Sequence, residues 1–164
     1  MATHDFKFYF ADSYCGALNP EDVHLFYYDI CYDKEQNFYK QYEWTDEIDA
    51  YLHDNNTVIE VVNKSDMPTT VGNNQMFMIE ATDDEGNKAA TFFRHLRNIS
   101  SHYEIGDNNA YYCMKDHHWN GSKRGDMTMI GKIDKTIFKG LMEFFFKQKA
   151  EIEKKMGQDY DKEI

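Results

Sequence analysis

Apolar residues recur every three to four positions over most of this chain, and one late stretch switches to a strand-like texture. The first 18 residues fit no single period. Phe6, Phe8 and Phe10 alternate as in a strand, while Phe6, Tyr9 and Phe10 also suit a helical turn. Asn19-Pro20-Glu21-Asp22 reads as a helix start, with asparagine as cap, proline in the first turn and acids facing the positive helix end. Val23, Phe26, Tyr27 and Ile30 keep one apolar face from there to about Lys40. Trp44-Thr45-Asp46-Glu47 opens a second helix in the same way. Ile48, Tyr51, Leu52, Ile59 and Val62 form its apolar face, and Pro68 and Gly72 close the segment. Asn73 to about Ala81 reads as a short helix.

Thr82-Asp83-Asp84-Glu85 has the form of a capping box, in which Thr82 and Glu85 would each satisfy the other's free backbone N–H. In the helix that follows, Ala89, Phe92, Leu96, Ile99 and Tyr103 fall within roughly a quarter of the helical wheel. Arg94, Arg97, Asn98, Ser101 and His102 take the opposite side. Beyond Glu104 the texture changes. Tyr111 to Lys115 and Met127 to Ile130 are strand-like runs around the turn pair Asn120-Gly121, which predicts a β-hairpin with a polar tip of His117, His118, Trp119, Lys123 and Arg124. Asp134 then caps a long helix whose apolar side is Ile137, Phe138, Leu141, Phe144, Phe145 and Ile152. These elements predict a mainly α protein, a compact bundle of four to five helices with a β-hairpin at about 110–132 inserted before the last helix. Residues 1–18 would be an N-terminal extension, 19–157 the helical domain and 158–164 a frayed tail.

Composition supports one folded domain: 164 residues, of which 41% are hydrophobic and 16% aromatic, can bury a real core. The longest apolar runs fall well short of the roughly 20 residues needed to cross a bilayer. The opening Met1-Ala2-Thr3-His4-Asp5 lacks the basic start of a signal peptide, so a cytoplasmic location is expected. Cys15, Cys31 and Cys113 are widely spaced and form no CxxC pair, which suits reduced thiols. Net charge is −11, and a polyanionic partner would be repelled by it. The distribution of that charge matters more than its sum. Residues 1–87 carry 18 acids and 4 bases, whereas residues 88–164 carry 11 acids and 14 bases. Between Lys88 and Tyr103 stand Lys88, Arg94 and Arg97 with no acid among them. Arginine presents a planar fork of donors that matches phosphate, so this island suits local phosphate recognition better than broad coating of a nucleic acid.

Arg97 and His102 have four residues between them, in the form Arg-Asn-x-x-x-His at the end of the amphipathic helix. Five positions along an ideal helix separate two side chains by about 140°, so the pair does not converge unaided. Loosening near Ser100-Ser101, or a second copy facing the first across a two-fold axis, would bring the groups together. Metal-free RNA cleavage needs a group that moves a proton and a cation that holds the charge on phosphorus. Histidine and arginine suit those tasks. Asn98 could orient His102 or the phosphate, with Arg94 and Ser101 adding contacts.

The segment from Phe93 to Tyr103 resembles the motif of the HEPN superfamily, the higher-eukaryote and prokaryote nucleotide-binding domains. The resemblance is specific over about eleven residues and covers the helix order only loosely, across about 20–155. It implies a helical bundle, a homodimer with both motifs lining one cleft, and a metal-independent endoribonuclease in a toxin–antitoxin or antiviral role, with an antitoxin protein as possible partner. Arg97, Asn98 and His102 would be catalytic, and Arg94, Ser101 and Tyr103 would contact substrate. The competing reading is a non-catalytic module binding a nucleotide, RNA or a protein. A solvated polar helix face is the plain alternative to either. Cys113, His117 and His118 suggest a metal only weakly, because neighbouring strand residues point to opposite faces and no second ligand pair has zinc spacing. Neither metal nor cofactor is expected.

Overall fold

In a computed structural model, residues 38–102, 105–108 and 110–163 are described, with side chains for 40–99 and 110–155. Three helices and a five-stranded mixed sheet alternate along them. Helix α1 spans Asp46–Asp54, α2 Lys88–His102 and α3 Lys135–Glu163. The strands are β1 (Val58–Val61), β2 (Gln75–Met78), β3 (Ile105–Asn108), β4 (Tyr111–Asn120) and β5 (Lys123–Asp134). Their order across the sheet is β1-β2-β5-β4-β3, with β1 and β2 parallel and every other pair antiparallel. The fold is therefore α/β. The mainly α bundle of four to five helices expected from the sequence is not what forms, and the hairpin is no insertion: β5 is the central strand of the sheet.

Two predicted helices account for the difference. The apolar pattern carries the second helix through Ile59 and Val62, yet α1 stops at Asp54. There Asn55 donates its backbone and side-chain N–H groups back to the last turn, and Asn56 takes the left-handed conformation at φ 52°. The following Thr57-Val58-Ile59-Glu60-Val61 is β-branched at four of five positions and alternates exposed with buried, so it pairs as a strand. The short helix expected at Asn73–Ala81 is β2. Left-handed Asn74, at φ 59°, turns the chain, and Met76 and Met78 then point into the core between β1 and β5. Partner strands outweigh the modest helical preference of methionine. The helix predicted from Asn19, and any element in 1–18, lie outside the described residues.

The start of α2 also differs from expectation. Thr82–Asp84 is a single 3-10 turn, Glu85 is left-handed, and the helix begins later under Asn87, whose Oδ1 accepts the Ala90 N–H at 3.0 Å. Asp134 caps α3 as predicted: its carboxylate accepts the N–H groups of Thr136 and Ile137 at 2.8 and 3.1 Å.

Register puts Ile59, Met76, Gly131 and Met114 in one row across the sheet, and Met78, Met129 and Asp116 in the next. Paired residues share a face, and this face packs against the helices. Phe92, Phe93, Leu96 and Ile99 of α2 and Phe138, Leu141, Met142 and Phe145 of α3 complete the core. At its centre an aromatic cluster sets Phe93 4.7 Å from Phe145 and 4.8 Å from Tyr42, ring centre to ring centre. Gly131 is needed in its row, since a Cβ there would lie 2.8 Å from the Met76 side chain.

A polar cleft between helix α2 and the hairpin

Helix α2 buries more of its circumference than an amphipathic surface helix does. Ala89, Ala90, Thr91, Phe92, Phe93, His95, Leu96 and Ile99 are all buried, leaving Lys88, Arg94, Arg97 and Asn98 partly exposed. Beside Arg94 and Asn98 opens a cleft of about 340 Å³, bounded by Ile79–Ala81 on one side and Asp116–Trp119 with Thr128 on the other.

The floor of the cleft is a buried polar knot. His95 Nδ1 lies 2.6 Å from Asp116 Oδ2, and His95 Nε2 lies 2.8 Å from the carbonyl oxygen of Ile79. A carbonyl only accepts, so Nε2 carries a proton; one further proton sits between Nδ1 and the carboxylate. Asn98 Nδ2 donates to the same Oδ2 at 3.2 Å, and the His117 N–H donates to Asp116 Oδ1 at 2.9 Å. Because Asp116 is flanked by donors, the Asn98 amide is oriented with nitrogen inward and its carbonyl oxygen turned away from Asp116. Both ring nitrogens of His95 are engaged in holding helix to sheet, so this histidine is a strut and not an available base.

A second buried carboxylate holds Arg94. Asp84 has no exposed side-chain surface, and its Oδ2 takes the Arg94 Nε and Nη2 at 2.8 and 2.7 Å as well as the Thr91 hydroxyl at 3.1 Å. Its Oδ1 is buried and accepts no hydrogen bond among the described residues. Burial pushes the Asp84 carboxyl up, but the Arg94 fork and charge, the Thr91 hydroxyl and the Ala81 N–H together hold it below the ordinary carboxylate range.

The opposite wall depends on irregular pairing. Between the rows Asp116–Met129 and His117–Met127, and again between His117–Met127 and Trp119–Arg124, β5 contributes one residue more than β4. Such bulges bend and twist a strand, and here His117, His118, Trp119 and the bulge residue Thr128 all line the cleft. Gly125 makes the second irregularity possible: a Cβ there would lie 2.6 Å from the His118 carbonyl oxygen. At the hairpin tip the Arg124 guanidinium sits 6.0 Å from the Trp119 ring centre.

Of the residues singled out in the sequence, Arg94 and Asn98 line this cleft. Arg97 is half-buried on α2 and is not part of its wall. Ser101 and His102 form the last two positions of α2, with side chains outside the described set, and Tyr103 lies outside it altogether. The structure adds His95, Asp116 and Asp84. His95 carried a visible signal, since it stands four residues before Ile99, about 40° away on the wheel and at the edge of the apolar stripe. Its partner Asp116, 21 positions further on, could not be found from spacing. Among the described residues, no three His, Cys, Asp or Glu side chains gather as a metal site requires, and no helix is long and apolar enough to cross a membrane. No family model, curated protein or solved structure matches the chain.

Proposed function

We propose that the chain is a binding module for a phosphorylated ligand with a flat ring, a nucleotide or a nucleotide unit of RNA. One juxtaposition carries this reading: the Arg94 guanidinium, the Asn98 amide and the Trp119 ring line the same cleft. Arginine suits the phosphate, the Asn98 carbonyl oxygen suits a hydroxyl or amino donor, and an indole face suits a base. The volume of about 340 Å³ lies at the small end of ligand pockets, which fits one nucleotide better than a folded nucleic acid. Isothermal titration of adenosine 5′-monophosphate and of a short single-stranded RNA tests it. Saturable binding weakened by Asn98→Ala, and by Trp119→Ala at a cost of about 1–3 kcal/mol, is expected. Absence of saturable binding of either probe to the folded wild type would reject it.

Metal-independent RNA cleavage is a second reading. Its support is that Arg97-Asn98-Ile99-Ser100-Ser101-His102 runs to the end of the helix whose Asn98 lines the cleft, with His117 and His118 on the facing wall. In that reading His102 is the acid/base and Arg97 the phosphate stabiliser, within a homodimer that brings two helix ends together. An RNA cleavage assay with chelator present separates the two: Arg97→Ala and His102→Ala abolish cutting, and Arg97→Ala leaves nucleotide affinity within about twofold, since Arg97 does not belong to the cleft wall. Cutting that persists in His102→Ala excludes this mechanism.

A further inference from the structure

The cleft contains an arginine that is not at liberty to act as a full positive charge. Arg94 keeps 18% of its side-chain surface exposed, and behind it the Asp84 carboxylate is wholly buried, with two guanidinium N–H groups on one carboxylate oxygen. An ordinary bidentate arginine–carboxylate pair uses both oxygens in parallel. Here the second oxygen, Oδ1, is buried and receives no hydrogen bond among the described residues, so no donor there offsets its negative charge.

We infer that Asp84 sets the anion affinity of the cleft, holding Arg94 in place while withholding much of its charge, so that an incoming phosphate must share the guanidinium with a buried carboxylate. This rests on the reading of the cleft as a phosphate-ligand site. The restraint comes from geometry. A phosphate about 4 Å from the guanidinium would stand about 7 Å from the carboxylate behind it, and repulsion at that distance offsets roughly half of the attraction. Asp84 also fixes the direction of the fork, because Nε and Nη2 are committed to it and Nη1 is the nitrogen left for a ligand. Thr91 and the Ala81 N–H hold the carboxylate from the protein side, so the pair does not simply swing out to the ligand.

A purely structural carboxylate and a restraining one predict opposite results on neutralisation. Asp84→Asn keeps the shape and an acceptor oxygen for the fork, and its amide nitrogen can occupy the Oδ1 position, where no hydrogen bond is lost. The experiment is titration of adenosine 5′-monophosphate into full-length wild type and Asp84→Asn at several salt concentrations. The inference expects about tenfold tighter binding by the variant and a steeper salt dependence, because a guanidinium no longer opposed by a carboxylate has more attraction for added salt to screen. Equal or weaker binding by a folded variant overturns the inference and leaves the proposed function standing. No saturable binding by either protein overturns both. Should Asp84→Asn fail to fold, the Arg94 Nε–H resonance of wild type decides. A shift that saturates with the nucleotide supports sharing of the guanidinium, and an unmoved resonance while nucleotide binds overturns it.

Discussion

Replacing Asp116 with alanine takes one carboxylate from three partners at once. His95 Nδ1, Asn98 Nδ2 and the His117 N–H all converge on this carboxylate, which is 1% exposed. Asn98 is only half-buried and can turn to water, so its loss is small. His95, at 1% exposed, keeps no alternative within reach of solvent, and the His117 N–H is part-buried. A stranded buried polar group costs about 1–3 kcal/mol, so His95 together with the part-buried His117 N–H puts the loss at about 4 kcal/mol. Set against a total stability of about 5–15 kcal/mol, the variant should fold but only just. Urea unfolding followed by circular dichroism should show a lower midpoint at unchanged slope, with the melting temperature lower by about 8–16 °C. Asp116→Asn keeps the volume and one acceptor, but whichever way the amide is turned its N–H₂ meets another donor, the Asn98 N–H₂ or the His117 N–H. About half the loss, some 2 kcal/mol, is expected. An Asp116→Ala variant within about 0.5 kcal/mol of wild type would refute the assignment of this knot as the strut between α2 and the sheet.

Three further outcomes follow from the same geometry. Gly140→Ala should destabilise by about 1–2 kcal/mol in chemical unfolding although alanine favours helix, because its Cβ would run into the Tyr51 ring where α1 meets α3; a more stable variant would contradict that packing. Gly125→Ala must displace the His118 backbone, so it should lower stability by about 1–3 kcal/mol and weaken nucleotide binding through the misplaced wall; unchanged binding would show that the second bulge does not shape the cleft. Asp84 has a lowered native pKa, so its ionised form contributes stability that is fully present above the unfolded-state value near 3.9 and is lost as pH falls through the native one. The stability difference between wild type and Asp84→Asn should therefore be constant above about pH 5 and move against wild type in stronger acid, and a difference that stays flat through that acid range would contradict the lowered pKa.

How far the sequence was readable depends on the range of the interactions concerned. Helix α2, the Asp134 cap and the hairpin are set by neighbours within a few positions, and their signals are local. Strands β1 and β2 are four residues each and owe their state to each other and to β5, more than 50 positions away from β2. Over four residues a period of 2 and a period of 3.6 place too few apolar groups to be told apart, and Ile59 and Val62 continued the helical pattern of Tyr51 and Leu52 past the end of α1. The same limit applied to the site. Arg94 and Asn98 stood out because their helix face was polar, whereas Asp84 and Asp116 looked like ordinary acids in a chain rich in them. Only burial distinguishes them. The adjacent histidines were expected on opposite faces, and both line the cleft beside the bulges in β5.

Two buried carboxylates therefore hold consecutive turns of one helix, and their surroundings give them different work. Asp116 has both oxygens engaged by donors and leaves His95 no free nitrogen, so any change there costs packing and hydrogen bonds without freeing a charge. Among the described residues Asp84 takes its hydrogen bonds on one oxygen and none on the other, so neutralising it can keep the acceptor and frees a cation at the cleft. Stability and affinity should accordingly separate across the pair. Asp116→Asn should lower the melting temperature with affinity falling in step, whereas Asp84→Asn should raise affinity whatever it does to melting. A set of variants in which both quantities fall together at both positions would mean that the two carboxylates are equivalent struts, and that the idle oxygen of Asp84 has no functional consequence.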